Sequence, residues 1–258
     1  VDGPLLGLAL DGHGIGDDGG NWGGEMILLA PDGTWRRVGH LAPLPMPGGD
    51  RAAREPWRMG VAALHAVGRL DLVAARFGHL PLAAPLAARV AQAPVTTSLG
   101  RLFDAAAALL GGRTHQDHEA QAAMELEALS RPPVALDGGF RLAGDVLDFT
   151  PLLAALAEPG HDPADGAAAL HGTLAEGLAT WAAATAARLG LGRVALSGGC
   201  LLNRHLAEGV SARLRRRGIE PLLARAVPCN DGGLSLGQAA LARRLAARDE
   251  GRRANRCA

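Results

Sequence analysis

The chain has 258 residues, 48% of them apolar, and zero formal net charge. That length suits one large domain or two modest ones, and so apolar a chain is not disordered over most of its course. No basic stripe stands out, so nucleic acid is not an expected partner; all 26 basic residues are arginine and tyrosine is absent, which excludes Schiff-base chemistry, a P-loop lysine and a phenolic acid or base.

The first apolar run, PLLGLALDG, predicts a buried strand ending at Asp-Gly. The run that follows, LDGHGIGDDGGNWGGE, is so rich in glycine and acids that it reads as a flexible loop. It does not satisfy a dinucleotide fingerprint, because no helix follows. Asp11, at the strand end, is placed to bind a metal or a hydroxyl; solvated acids on a loop are the other reading. Glu25–Pro31 predicts a second strand and Thr34–Ala42 a third, joined through Pro-Asp-Gly as a hairpin. After the Pro/Gly loop Pro43–Asp50, a helical pattern runs from about Arg51 to Leu129, broken at Gly78–Pro81, at Pro94 and at Gly111-Gly112.

Within this helical region Thr97–Gly112 is a capped helix that carries Asp104 beside Phe103. An acid on a core-facing helix needs a partner or an exposed edge, and functional and structural readings both stay open. Thr114–Ser130 begins with His115 and His118, spaced i,i+3 at a helix start. A metal is one reading and a solvated helix entry, favoured by the lack of an HExxH pattern, is the other; Glu119 beside them is a candidate ribose contact.

Ala135–Phe149 predicts two short strands around Asp-Gly-Gly, and Pro163–Leu189 a long helix. Then come RVALSGG as a strand, LLNRHLAEGVSARLRRRG as a helix with Asn203 about one turn in, and IEPLLA as a strand. A loop, CNDGG, leads to the last helix, and residues 249–258 are polar, Arg-rich and expected to fray. A meander followed by strand-helix-strand-helix is the order of a ribonuclease-H-like α/β lobe, with parallel pairing at the C-terminal end. The helices of about 51–130 are then an insertion within a domain spanning 1–248.

Two Gly-rich turns, Ser197–Gly199 and Asn230–Gly233, fall at the carboxyl ends of adjacent strands, the usual ligand edge of such a sheet. Backbone N–H groups there favour an anion or a polar nucleotide edge; a tight turn without ligand is the alternative. Asp231 either faces a metal or caps the last helix. Cys200, Cys229 and Cys257 are widely spaced and odd in number, which predicts a reducing, cytoplasmic setting and neither a disulfide framework nor a zinc finger. No long charge-free apolar stretch predicts a membrane span.

Six stretches in this order, LALDGHGIGDDGGNWGGE, LPMPGGDRAAREPWRMG, TSLGRLFDAAAALLGG, EAQAAMELEA, ALSGGCLLNRHL and PCNDGGLSLGQAA, resemble the C-terminal, Kae1-like part of the HypF hydrogenase-maturation carbamoyltransferases. REPWRM with GRLFDA and NDGGLxLGQ carries the specificity; lone SGG or DGG turns do not. The resemblance implies an actin-like ATPase fold whose Gly-rich turns hold the nucleotide of a carbamoyl-adenylate. It implies nucleotide contacts from Ser197, Gly198, Gly199, Asn203 and Asn230, and from Asp11, Gly12 and Gly14 of the first loop. Asp104 meets the ribose or adenylate with Glu119 nearby, and Asp231 is the metal-binding aspartate.

In that family a YrdC-like module makes the carbamoyl-adenylate, and the Kae1-like part passes the carbamoyl group to the C-terminal cysteine thiolate of HypE. ATP or carbamoyl-adenylate, a divalent or iron metal ion (magnesium, iron and zinc all open) and a HypE-like thiol protein are therefore the expected cofactors and partner. The acylphosphatase-like, zinc-finger and YrdC-like modules and the lobe with the HHxxH metal pair are not in this sequence, so it reads as the second lobe alone. His13 stands where the family has a small hydroxyl residue, and Ala120 where it has a glycine before Gln-Ala-Ala. Two functions follow: half of a carbamoyltransferase site, or a nucleotide- or partner-binding lobe that does not catalyse alone. A Kae1-like enzyme acting on tRNA or an antibiotic hydroxyl is disfavoured by REPWRM and NDGGLSLGQ.

Overall fold

A computed structural model of the chain describes residues 3–254, with side-chain surroundings described to residue 247. The strands are β1 (Leu5–Ile15), β2 (Asn21–Leu29), β3 (Trp35–Leu41), β4 (Leu44–Pro45), β5 (Val95–Thr96), β6 (Arg141–Ala143), β7 (Val146–Asp148), β8 (Arg193–Ser197) and β9 (Glu220–Leu223). The helices are α1 (Arg51–Arg54), α2 (Pro56–Ala66), α3 (Val73–Phe77), α4 (Ala83–Ala87), α5 (Leu99–Leu109), α6 (Gln121–Leu129), α7 (Thr150–Ala157), α8 (Pro163–Leu189), α9 (Arg204–Arg216) and α10 (Leu234–Ala254).

Alternation builds the centre of the sheet. Leu6, Leu8 and Leu10 of β1 are fully buried, as period-2 leucines on one strand face require. β1, β2 and β3 form an antiparallel meander, and β8 and β9 add in parallel on the other side of β1. The path β6-β7-β3-β2-β1-β8-β9 contains the order β3-β2-β1-β8-β9, that of a ribonuclease-H-like lobe, the building block of actin-like folds. α1 to α6 lie between β3 and β7; the helical region breaks between Phe77 and Ala83, after Pro94 at the two-residue β5, which pairs with β2 and β4, and between Leu109 and Gln121.

α8 has the boundaries its sequence predicts. Asp162 caps it by accepting from Ala164 N at 2.8 Å, Pro163 sits at its first position, and Gly190 ends it with φ +67. α10 runs to Ala254, past residue 249 where fraying was expected; residues 255–258, with Cys257, lie outside the described residues. No helix among the described residues is long and apolar enough to cross a membrane.

The glycine-rich run after Leu10 is not a flexible loop. β1 continues to Ile15 and pairs Gly14 with Trp22 and Ile15 with Asn21, after a register shift between Leu10 and Gly14. The hairpin is held by Glu25, only 2% exposed, whose carboxylate accepts from the Gly23 and Gly24 N–H groups at 2.6 Å each and pairs with Arg37 at 3.0 Å. Arg37 in turn lies 4.2 Å over the Trp22 ring. Glu25 therefore sits inside β2 rather than opening it.

Candidate functional site

Parallel pairing of β1 with β8 in the register Ala9↔Ser197 puts Asp11 and the Ser197–Gly199 turn side by side at one sheet edge. Gly198 has φ +103, and a Cβ there would lie 2.0 Å from the Leu10 carbonyl oxygen; only glycine permits this close approach. Its N–H donates to the Cys229 carbonyl at 2.7 Å, which ties the first Gly-rich turn to the second. At Gly199 an added Cβ would lie 3.2 Å from Asp11 Oδ1 and 3.9 Å from Asn230 Cβ, so β1, the SGG turn and the NDGG turn converge there. Asp11 Oδ1 accepts from Gly12 N at 2.7 Å.

The insertion supplies the opposite wall. Ser98 caps α5, accepting from Arg101 N at 3.2 Å, while its hydroxyl lies 2.8 Å from both the Asp11 and Gly12 carbonyl oxygens. Gly100 lets the helix seat directly on β1, since a Cβ would lie 2.6 Å from Gly12 Cα. Arg101 and Asp104, one turn apart, are thereby buried together with Nε and Oδ2 2.9 Å apart. The contact is an ion pair without hydrogen-bond alignment: both atoms lack a hydrogen-bond partner. Asp104 Oδ1 accepts from Gln116 Nε2 at 3.1 Å. Burial pushes the Asp104 carboxyl up to about 7, against the pull of the Arg101 charge and the Gln116 hydrogen bond.

These walls enclose a cavity of about 520 Å³. Of the expected site residues, Asp11, Gly12, Asp104 and Glu119 line it, as do Gly199, Asn203, Asn230 and Asp231. Ser197, at the end of β8, and Gly198 are not on its lining; they shape the turn below it. Gly14 is held in the β1–β2 ladder opposite Trp22, away from the cavity. Asn203 is not one turn into a helix. A short 3-10 segment, Gly199–Leu202, precedes it, and Asn203 is the N-cap of α9, accepting from Leu206 N at 3.0 Å.

The amide of Asn203 also lies 2.9 Å from Nε2 of His171, a fully buried residue of α8 whose Nδ1 is 2.7 Å from the Ala167 carbonyl. A carbonyl only accepts, so Nδ1 carries the proton and Nε2 accepts from the amide. Burial lowers His171 to about 4, which keeps it neutral. The second N–H of the Asn203 amide has no hydrogen-bond partner among the described residues.

His115 and His118 precede α6 on an exposed loop rather than opening the helix. No group of three or more His, Cys, Asp or Glu side chains with metal-binding geometry occurs among the described residues. Asp11 and Asp231 share the cavity and are both oxygen donors, two ligands of the three or more that a closed site needs. Cys200, also on the wall, is held protonated: burial, then the Asp11 carboxylate, raise its thiol far above the usual range.

Two residues escaped the sequence reading. Arg101 is the sole cation on the cavity lining, and its signal was the i,i+3 spacing to Asp104 within GRLFDA. His171 had no local signal, since its contact with Asn203 joins helices 32 residues apart.

The family described as "Carbamoyltransferase, Kae1-like Domain, second subdomain" matches residues 7–238. "Carbamoyltransferase HypF" of Rhizobium leguminosarum bv. viciae is 55% identical over 95% of this chain and 33% of its own length. A "Carbamoyltransferase HypF homolog" of Cupriavidus necator is 46% identical over 93% of this chain and 66% of its own. Among solved structures, full-length HypF in a phosphate- and nucleotide-bound form superposes with a TM-score of 0.83 at 29% identity, over 94% of this chain and 33% of that one. The chain thus spans about a third of the length of most of the curated relatives it matches. On the fold, the cavity at its strand ends and these matches, the chain belongs to the carbamoyltransferase family as the second subdomain of a Kae1-like domain.

Proposed function

We propose that this chain forms the nucleotide-holding half of a carbamoyltransferase site, which moves a carbamoyl group from carbamoyl-adenylate to the C-terminal cysteine of a HypE-like protein in [NiFe] hydrogenase maturation. The observation that carries the proposal is the convergence of Asp11, Asp104, Asn203 and Asp231, from four separate stretches of chain, on one cavity. The nucleotide-bound HypF relative supports a nucleotide as its occupant.

In the transfer, the sulfur–carbon bond forms as the carbamoyl carbon–phosphate oxygen bond breaks, and AMP leaves. The nucleophile comes from the acceptor, since Cys200 is kept as a thiol and only the thiolate attacks. The Gly-rich turns present backbone to the adenylate, and the free N–H of Asn203 fixes one polar edge of it. Asp231 and Asp11 would hold a metal ion together with ligands from the nucleotide or from outside this chain, and such an ion supplies charge neutralisation at the phosphate. A binding lobe without catalysis of its own is the second reading, favoured by the absence of a complete metal set among the described residues.

Calorimetry with AMP separates Asn203 from the background. Asn203→Ala should weaken binding by about 1–3 kcal/mol, the range for a lost buried polar partner. Equal affinity in both proteins removes Asn203 from the ligand's contacts.

A further inference from the structure

The cavity is lined by five acids, Asp11, Asp104, Glu119, Glu127 and Asp231, against one cation, Arg101. That cation is nine-tenths buried, with a side chain only 8% exposed. Its guanidinium makes no hydrogen bond to any described residue; its one charged contact is the misaligned pair with Asp104, which leaves Nε unsatisfied. Of its donors the Nε–H is buried without a partner, which is costly, and the terminal nitrogens have no protein acceptor among the described residues, so a ligand in the cavity can complete them.

Arg101 also has access on two sides. It lines a second cavity of about 580 Å³, and Gly12 and Glu119 are shared by both. At Gly12 an added Cβ would lie 3.8 Å from one Arg101 terminal nitrogen and 4.0 Å from Glu119 Oε1, so no side chain of β1 comes between the guanidinium and the cavity at that position. The second cavity brings Arg54, His13 and His118 near but also Asp50 and Asp117, so no strongly basic funnel leads in. The recognition is local to one fork.

We infer that Arg101 is the residue that receives an anionic phosphoryl oxygen of the bound nucleotide, and that its engagement by that oxygen releases Asp104 to take up a proton. The inference deepens the nucleotide reading and rests on it. The planar fork donates to two oxygens of a phosphate side by side, a geometry the present single-point contact with Asp104 does not use. Once a phosphate neutralises Arg101, the charge that holds Asp104 ionised is spent, and the burial that already lifts Asp104 to about 7 is no longer opposed by it. The groups that face Asp104 are Arg101 on its own helix and Gln116 from the loop before α6, both of which favour the carboxylate, and the Cys200 thiol after β8. Gln116 is the one neutral hydrogen-bond donor to the carboxylate, and it remains in place when Arg101 is engaged. Binding is therefore coupled to uptake of as much as one proton, and affinity falls as pH rises through the Asp104 midpoint.

The test is calorimetry of this chain with AMP and with adenosine, in buffers of low and high ionisation enthalpy. It is run about one unit above the Asp104 midpoint, where the free carboxyl is mostly ionised. In the unaltered chain AMP binding should take up a substantial fraction of a proton and adenosine binding none, a result that needs no variant to fold. Arg101→Met should weaken AMP roughly tenfold or more, the range for losing a charge-assisted hydrogen bond, and leave adenosine unchanged. Asp104→Asn should still bind AMP but without proton uptake. AMP affinity and uptake unchanged in Arg101→Met would overturn the inference while leaving the nucleotide reading intact. Uptake that persists in Asp104→Asn, placing the proton on the phosphate instead, would overturn the coupling. Failure of both AMP and adenosine to bind would overturn the nucleotide reading and this inference with it.

Discussion

Ala120 is the one residue other than glycine, among the described residues, with a left-handed backbone, at φ 59. That conformation costs an L-residue roughly 1–2 kcal/mol, and glycine returns about 0.5–1 through the entropy of its unfolded chain. Ala120→Gly should therefore raise stability by about 0.5–1 kcal/mol in thermal melts, and a less stable variant would contradict the geometry. The sequence marked this position, because the resembled family has glycine there; it did not mark the strain, which depends on the turn leading into α6. His171 poses the opposite problem. Its folded midpoint of about 4 lies below the ordinary 6.5, so the native state prefers the neutral ring. The stability this provides is complete above the ordinary value and drains away as pH falls toward 4. Asp104 runs the other way, because its raised carboxyl favours the fold below its midpoint. Comparing wild type with His171→Gln by urea unfolding isolates the histidine. Between neutral pH and the His171 midpoint, wild type should lose about 2–3 kcal/mol more than the variant. Parallel pH curves for the two proteins would show that the ring titrates normally.

At the level of elements, what local chemistry dictates was readable and what long-range pairing dictates was not. α8 carries its own start and stop signals, Asp162-Pro163 and Gly190, and was predicted end to end. The far half of β1 carries none: its pairing with β2 runs through Gly14, and glycines leave no side-chain alternation to read. The SGG turn was readable as a site, but the reason for its middle glycine lies in Leu10, distant in sequence. Gly198→Ala places a Cβ 2.0 Å from the Leu10 carbonyl at φ +103. The turn must then move off β1, at an expected cost above about 3 kcal/mol and with loss of AMP binding. Gly192→Ala is the matched control, since nothing lies within 4 Å of its Cβ and its φ is ordinary; it should change stability by less than about 0.5 kcal/mol. Equal effects at the two glycines would mean that the tight β1–β8 approach is not what fixes the turn.

At the scale of the molecule, the cavity proposed for the nucleotide lacks a full set of reactive groups. Its two candidate metal ligands, Asp11 and Asp231, are both oxygens, and its thiol is kept protonated. Large apolar side chains stand exposed around it: Met124 at 57% and Leu202 at 62% on its lining, and Leu234 at 55% and Leu236 at 58% just beyond Asp231 at the start of α10. Exposed apolar surface rimming an incomplete polar site is what an interface looks like before its partner arrives. A second subdomain implies a first, and in the resembled family that lobe carries the HHxxH pair. On its own the chain should bind divalent metal weakly, with substoichiometric metal after dialysis, and should transfer no carbamoyl group. Mixed with the HHxxH lobe, the adenylate-forming module and a HypE-like acceptor, it should co-elute with the lobe and carbamoylate the acceptor's cysteine. Asp231→Ala should abolish that activity without disturbing the fold, because the side chain is exposed and its removal leaves no buried group unpaired. Association with full activity in Asp231→Ala would strip that residue of its metal role. Association without activity in the unaltered chain would leave a lobe that binds and does not catalyse.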